Sequence, residues 1–276
     1  MIIDSHQHFW KYDSVRDSWI DESMQVIRKD FLPQNLKPIL NKNNIDGCIA
    51  VQADQSENET QFLLELADKN PFIKGVVGWV DLCADNVNER LAHFSKNKLL
   101  KGVRHIVQAE LSGFMLQADF QNGIKNLEQF NLIYDILIYP NQIEETIALV
   151  KKFPNQLFVV DHLAKPNIKS QKIKNWEKDL KKLAAFENVF CKISGMFTEA
   201  NWNKWQRSDF TPYLDVVFKA FGTHRIMYGS DWPVCLLSAT YEQQLNSIEK
   251  YVSEFSSADK ALIMGKNALK IYKLKS

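Results

Sequence analysis

The chain has 276 residues, 45% of them hydrophobic and 12% aromatic, enough apolar material for one large buried core. Its 34 Lys and Arg balance 33 Asp and Glu; a formal charge of +1 gives no electrostatic footing for nucleic acid or an anionic membrane. No apolar run approaches the roughly 20 residues of a membrane span.

Strand and helix patterns alternate from the first residue onward. Strands are predicted over 1–5, 46–52, 72–80, 100–106, 132–139, 157–161, 188–193 and 225–230. Several are nearly unbroken apolar runs, such as Cys48-Ile49-Ala50-Val51 and Leu157-Phe158-Val159-Val160. That pattern marks parallel strands buried on both faces. Between them, amphipathic segments at 34–43, 57–69, 86–96, 119–130, 141–152, 173–186, 211–221 and 240–252 predict helices, with a last helix over 258–270. Eight such units without a glycine-rich phosphate loop predict a (β/α)₈ barrel, a single domain spanning 1–276.

Two stretches are long for strand-to-helix loops. Residues 9–33 carry Trp10, Tyr12, Trp19 and Phe31, and are expected to pack over the rim as a lid. Residues 195–211 carry Met196, Phe197, Trp202 and Trp205, for which loop packing and substrate contact are equally open readings. The chain starts on a strand, with no basic stretch followed by an apolar one, so no secretory leader is expected. Four cysteines, Cys48, Cys83, Cys191 and Cys235, lie far apart with no C-x-x-C pattern. They read as reduced thiols of a cytoplasmic protein.

In barrels of this kind the chemistry sits at the C-terminal ends of the strands. The first strand runs into His6 and His8, whose spacing aims two imidazoles at one point, where they can hold a metal ion such as Zn²⁺. The other strand ends offer Gln52 and Asp54, Trp79 and Asp81, Arg104 and His105, and Tyr139. Strand six adds Asp161, His162 and Lys165, and strand eight adds Asp231 and Trp232. Asp161 precedes His162 and is expected to face the opposite layer as a structural carboxylate; Asp4 is read likewise. His93 and His224 fall on helix or loop positions and are expected to face solvent.

Asp4-Ser5-His6-Gln7-His8-Phe9-Trp10, Gly102-Val103-Arg104-His105, Asp161-His162-Leu163-Ala164-Lys165-Pro166 and Gly229-Ser230-Asp231-Trp232-Pro233 occur in this order. Together they resemble the sugar-lactonase branch of the amidohydrolase superfamily, the L-fuconolactonase and L-rhamnonolactonase-like enzymes. The resemblance implies hydrolysis of a small-molecule sugar-acid lactone. It implies a catalytic centre of His6, His8, His162 and Asp231, with Arg104 near the substrate. In that reading Asp231 and His162 are catalytic, and His6, His8, His162 and Asp231 are the ligands of one divalent metal, Zn²⁺. Arg104, His105, Tyr139 and Lys165 then bind substrate.

Binuclear members of the superfamily add a lysine at the end of strand four and a histidine at the end of strand five. Here strand four ends in Arg104-His105, Lys101 lies at its other end, and 132–139 holds no histidine. One metal is therefore expected, with metal-free catalysis as the alternative. A lactone isomerase, a metal-dependent decarboxylase and a non-catalytic sugar-acid binding protein are the competing readings. Oligomeric state is left open, since the outer helices can carry a homodimer surface without any sequence signal.

Overall fold

The computed structural model describes residues 1–275. Eight strands form one sheet in chain order: β1 Ile3–Gln7, β2 Gly47–Val51, β3 Ile73–Gly78, β4 Leu100–His105, β5 Ile133–Ile136, β6 Phe158–Val160, β7 Val189–Ile193 and β8 Ile226–Tyr228. Every neighbouring pair is parallel. The sheet closes just beyond the ends of β1 and β8. There the His8 amide donates to the Trp232 carbonyl at 2.7 Å, and the Asp231 amide to the His6 carbonyl at 2.7 Å. The expected (β/α)₈ barrel is the observed fold.

The outer ring runs α1 Pro33–Lys42, α2 Glu57–Lys69, α3 Val87–Phe94, α4 Ala118–Leu127, α5 Ile143–Lys152, α6 Lys174–Ala184, α7 Arg207–Phe221 and α8 Tyr241–Tyr251. Local sequence sets the starts. Pro33 opens α1, and the Ser56 and Thr240 hydroxyls accept the free amides of Glu59 and Gln243 at the starts of α2 and α8. α7 begins at Arg207 rather than the expected 211, because Gln206 and Asp209 cap each other there. The last expected helix is broken into α9 Ser257–Ala261 and α10 Asn267–Ile271 around a wide turn at Leu262–Lys266. Gly265 in that turn lies against the Met1 carbonyl, where a Cβ would come within 2.3 Å.

Side chains alternate across each strand. Tyr134, Ile136, Phe158, Val160 and Cys191 pack outward under the helices. Ile133, Val159, Phe190 and Met227 point inward, joined from below by Ala268, Ile271 and Tyr272. The barrel is thus sealed with apolar side chains at its N-terminal end, and its polar residues lie above that seal.

The 9–33 segment does pack over the rim. Trp10 and Phe31 pair through two backbone hydrogen bonds of 2.9 Å, and Phe31 meets Trp232 edge-on at 5.1 Å. Met196 and Phe197 are likewise buried and serve packing, Trp202 and Trp205 are partly buried, and Trp19 is exposed. Cys48, Cys191 and Cys235 are buried and all four cysteines are free. Among the described residues, no helix is long and apolar enough to cross a membrane.

One carboxylate in α2 stands out. Glu59 is 5% exposed, and burial lifts its carboxyl to about 7 although it accepts the Ala53 amide at 3.1 Å. A carboxyl whose folded value lies above its unfolded one makes the native state lose stability as pH rises from about 4.5 to 7. Glu59→Gln keeps the acceptor for Ala53 without the charge. It is expected to be stabilised over the parent by up to about 3 kcal/mol at pH 8 and by nothing near pH 4.5, read by thermal denaturation at the two pH values.

Candidate active site

The strand ends of β1, β4, β6 and β8 deliver charged or polar groups to one central point. In β6, Val159 faces in, so two residues on Asp161 faces in as well. This corrects the expectation that Asp161 belongs to the opposite layer: its Oδ1 accepts from His6 Nδ1 at 3.2 Å, and its Oδ2 from Arg104 at 3.0 Å. His162 would then point outward on a continuing strand. It is turned back instead by four consecutive residues with positive φ, His162 (54°), Leu163 (56°), Ala164 (57°) and Lys165 (47°). That conformation costs an ordinary L-residue about 1–2 kcal/mol, and strain of this kind gathers at functional sites. Asp231 also sits at φ 57°.

The result is a compact cluster. His6 Nε2 and His8 Nε2 are 3.2 Å apart; Asp231 Oδ1 lies 3.3 Å from His8 Nε2 and 3.8 Å from the Nε2 atoms of both His6 and His162. Each histidine is oriented from behind. His6 Nδ1 donates to Asp161, His8 Nδ1 donates to the Val51 carbonyl at 2.8 Å, and His162 Nδ1 is 2.9 Å from the Ser194 hydroxyl. With Nδ1 of each ring committed as a donor, the Nε2 atoms of His6 and His8 turn toward each other and toward a carboxylate oxygen, with Arg104 Nη1 3.4 Å from His6 Nε2. Such a set of mutually repelling donors is what a divalent cation satisfies, each histidine being tied through its second nitrogen. The residues present therefore fit a single metal ion.

Electrostatics agree. Burial pushes His6 and His162 well below the ordinary imidazole range, so both stay neutral at pH 7. Burial opposes ionisation of Asp231, yet its carboxyl lies below the usual carboxylate range, with the Lys165 ammonium among the groups that favour its charge. Asp161 is ionised for a similar reason: Lys192, His6 and Arg104 outweigh the effect of burial.

The sequence of the family described as Amidohydrolase matches residues 3–274. The chain belongs to that family. Two curated relatives, both L-fucono-1,5-lactonases, are similar along their whole length. The one from Burkholderia multivorans is 37% identical over 99% of this chain and 96% of its own. The one from Burkholderia ambifaria is 31% identical over 99% of this chain and 95% of its own. A crystal structure of a Burkholderia multivorans amidohydrolase with bound zinc superimposes with a TM-score of 0.97 at 37% identity, covering 100% of both chains.

Not every predicted group joins the amidohydrolase cluster. His105 stands apart: its Nε2 is 2.8 Å from Glu110, its Nδ1 accepts from Trp79 at 3.3 Å, and its ring stacks on Phe114 at 4.7 Å. Both nitrogens are engaged in tying down the strand-four loop, away from the histidine cluster. Lys165 and Tyr139 flank the mouth, the ammonium 5.3 Å from the ring centroid. Together with Glu199 and Trp202 they line a cavity of about 660 Å³. His93 and His224 are exposed, as expected.

Sequence reading passed over Asp135, Lys192, Ser194 and Tyr272. Lys192 is fully buried, its ammonium bonded to Asp135 and 3.1 Å from Asp161. The signal was present in Val189-Phe190-Cys191-Lys192-Ile193 and Ile133-Tyr134-Asp135-Ile136: a charge inside a short apolar strand, on the inward register.

Gly195 shows how tightly His162 is held. Its φ is 64°, and a Cβ there would lie 2.5 Å from His162 Nδ1. Gly195→Ala is expected to lose about 1–2 kcal/mol of stability from the backbone alone. Because the imidazole must also move, kcat/KM should fall about tenfold or more. Thermal melts and steady-state kinetics on the same preparation check both.

Proposed function

We propose that this amidohydrolase hydrolyses the lactone of a deoxy-sugar acid, of the L-fucono-1,5-lactone kind, to the open aldonic acid. The observation that carries the reading is the convergence of His6, His8 and Asp231 on one point beside Arg104. The lactonase activity of the two Burkholderia relatives supports the choice of substrate.

In this reading the Asp231 carboxylate takes a proton from the attacking water, whose oxygen adds to the lactone carbonyl carbon. The Arg104 guanidinium, fixed by Asp161 and the Gln52 carbonyl, offers a rigid donor to the oxygen on which negative charge develops. Collapse breaks the bond to the ring oxygen, and the proton held on Asp231 passes to that leaving oxygen. His6, His8, His162 and Asp231 would hold the divalent ion, Zn²⁺, which when bound polarises the carbonyl and acidifies water. Tyr139 and Lys165, which line the cavity at the mouth, are read as the groups that meet sugar hydroxyls. The four free thiols support a reducing, cytoplasmic setting.

The test is acid release from a panel of aldonolactones in weak buffer with purified, metal-analysed protein. Rapid acidification with L-fucono- or L-rhamnono-lactone supports the reading. No acid release across the panel, with CO₂ evolved from hydroxybenzoates, would replace it by the decarboxylase. Arg104→Met is expected to lower kcat/KM by about 10²–10³-fold; an unchanged value would remove Arg104 from the site.

A further inference from the structure

Beneath the histidines, the barrel holds a second set of buried charges that the proposed reaction does not use. The Tyr272 hydroxyl, from the chain segment that plugs the barrel floor, donates to the Asp135 carboxylate, 2.8 Å from Oδ1 and 2.9 Å from Oδ2. Asp135 accepts from Lys192, and Lys192 lies 3.1 Å from Asp161 Oδ1. The same Oδ1 accepts from His6 Nδ1. Asp135, Asp161 and Lys192 have no exposed side-chain surface, so each contact is made in the dry interior.

A lone pair of ions could serve stability alone. Here the connection is directional. Asp161 carries donors on both oxygens, Arg104 on Oδ2 and His6 with Lys192 on Oδ1, which leaves its carboxylate one orientation. Lys192 also lies 3.4 Å from His6 Nδ1. An ammonium only donates, so it cannot share that nitrogen once Nδ1 carries a proton. Its place is set instead by Asp135, which Tyr272 fixes in turn.

We propose that Tyr272, Asp135 and Lys192 are positioning residues for the metal centre, holding Asp161 so that His6 keeps its proton on Nδ1 and presents Nε2 to the ion. The inference rests on the reading of His6, His8, His162 and Asp231 as a metal site. It places a determinant of metal affinity at the opposite end of the barrel from the mouth.

The test uses full-length protein loaded with Co²⁺, whose visible absorption reports ligand geometry, and chelator competition for affinity. Asp135→Asn/Lys192→Met removes one negative and one positive charge together, leaving Asp161 its Arg104 partner. Tyr272→Phe removes only the hydroxyl. The expected result is Co²⁺ affinity about 10–100-fold weaker in the double variant, with shifted absorption bands. Tyr272→Phe should give a smaller change in the same direction, about threefold. Variants that bind Co²⁺ with parental affinity and spectrum overturn the proposal, whatever their melting temperature, and leave the metal site standing. Should the double variant not fold, Tyr272→Phe decides by the same two readouts. A parent protein that fails to bind Co²⁺ overturns the metal reading, and this inference with it.

Discussion

Asp231→Asn is expected to lower kcat/KM for lactone hydrolysis by about 10³–10⁴-fold while the barrel stays folded. The carboxylate lies within 3.8 Å of the three Nε2 atoms, and it is the group proposed to carry the proton from water to the leaving oxygen. Asparagine suits the position conformationally. Asp231 has φ 57°, a region asparagine tolerates better than most residues, and its amide bond to the His6 carbonyl does not involve the side chain. The loss should therefore be chemical. Circular dichroism and melting temperature are expected near the parent's, with metal content reduced. Turnover within about tenfold of the parent would end the assignment of Asp231 as base.

Asp161→Asn should act through both stability and the site. The substitution leaves Arg104 and Lys192 buried with one carboxylate fewer between them. Breaking a buried pair from one side costs about 3–5 kcal/mol. The new amide group can also direct N–H toward the proton on His6 Nδ1, which disfavours the tautomer the metal needs. A fall in the urea midpoint is expected together with metal affinity about 10–100-fold weaker.

The pH dependence of the parent supplies the sign. Asp161 is held well below its usual value when folded, so its contribution is complete above about pH 4 and is lost as pH falls further. The gap between parent and variant should hold steady from pH 8 to 5 and narrow only below about 4. A gap that vanished near neutrality would show that Asp161 is not ionised against Lys192 and Arg104.

The fold was legible because parallel strands buried on both faces leave apolar runs, and the helices between them carry their own periodicity. The cluster was legible in part, since His6, His8, His162 and Asp231 stand at strand ends where a barrel gathers its chemistry. The errors have local causes. Asp161 was placed in the wrong layer because His162 was assumed to continue the strand, whereas the chain turns left-handed there without a glycine to announce it. His105 reads as a substrate-binding residue from its strand-end position; that its ring also meets Glu110 and Trp79 is visible only in three dimensions. Lys192 and Asp135 lie within strands β7 and β5, so the strand-end pattern does not point to them.

The seam between the first and last strands has a consequence for how the molecule comes into being. His8 and Asp231 are 223 positions apart, and the two backbone hydrogen bonds that zip the barrel shut flank their side chains. In a growing chain His6 and His8 thus precede Asp231, which joins them only after 223 further positions have been made. The four residues proposed to hold a divalent ion therefore face one another only once the ring has closed.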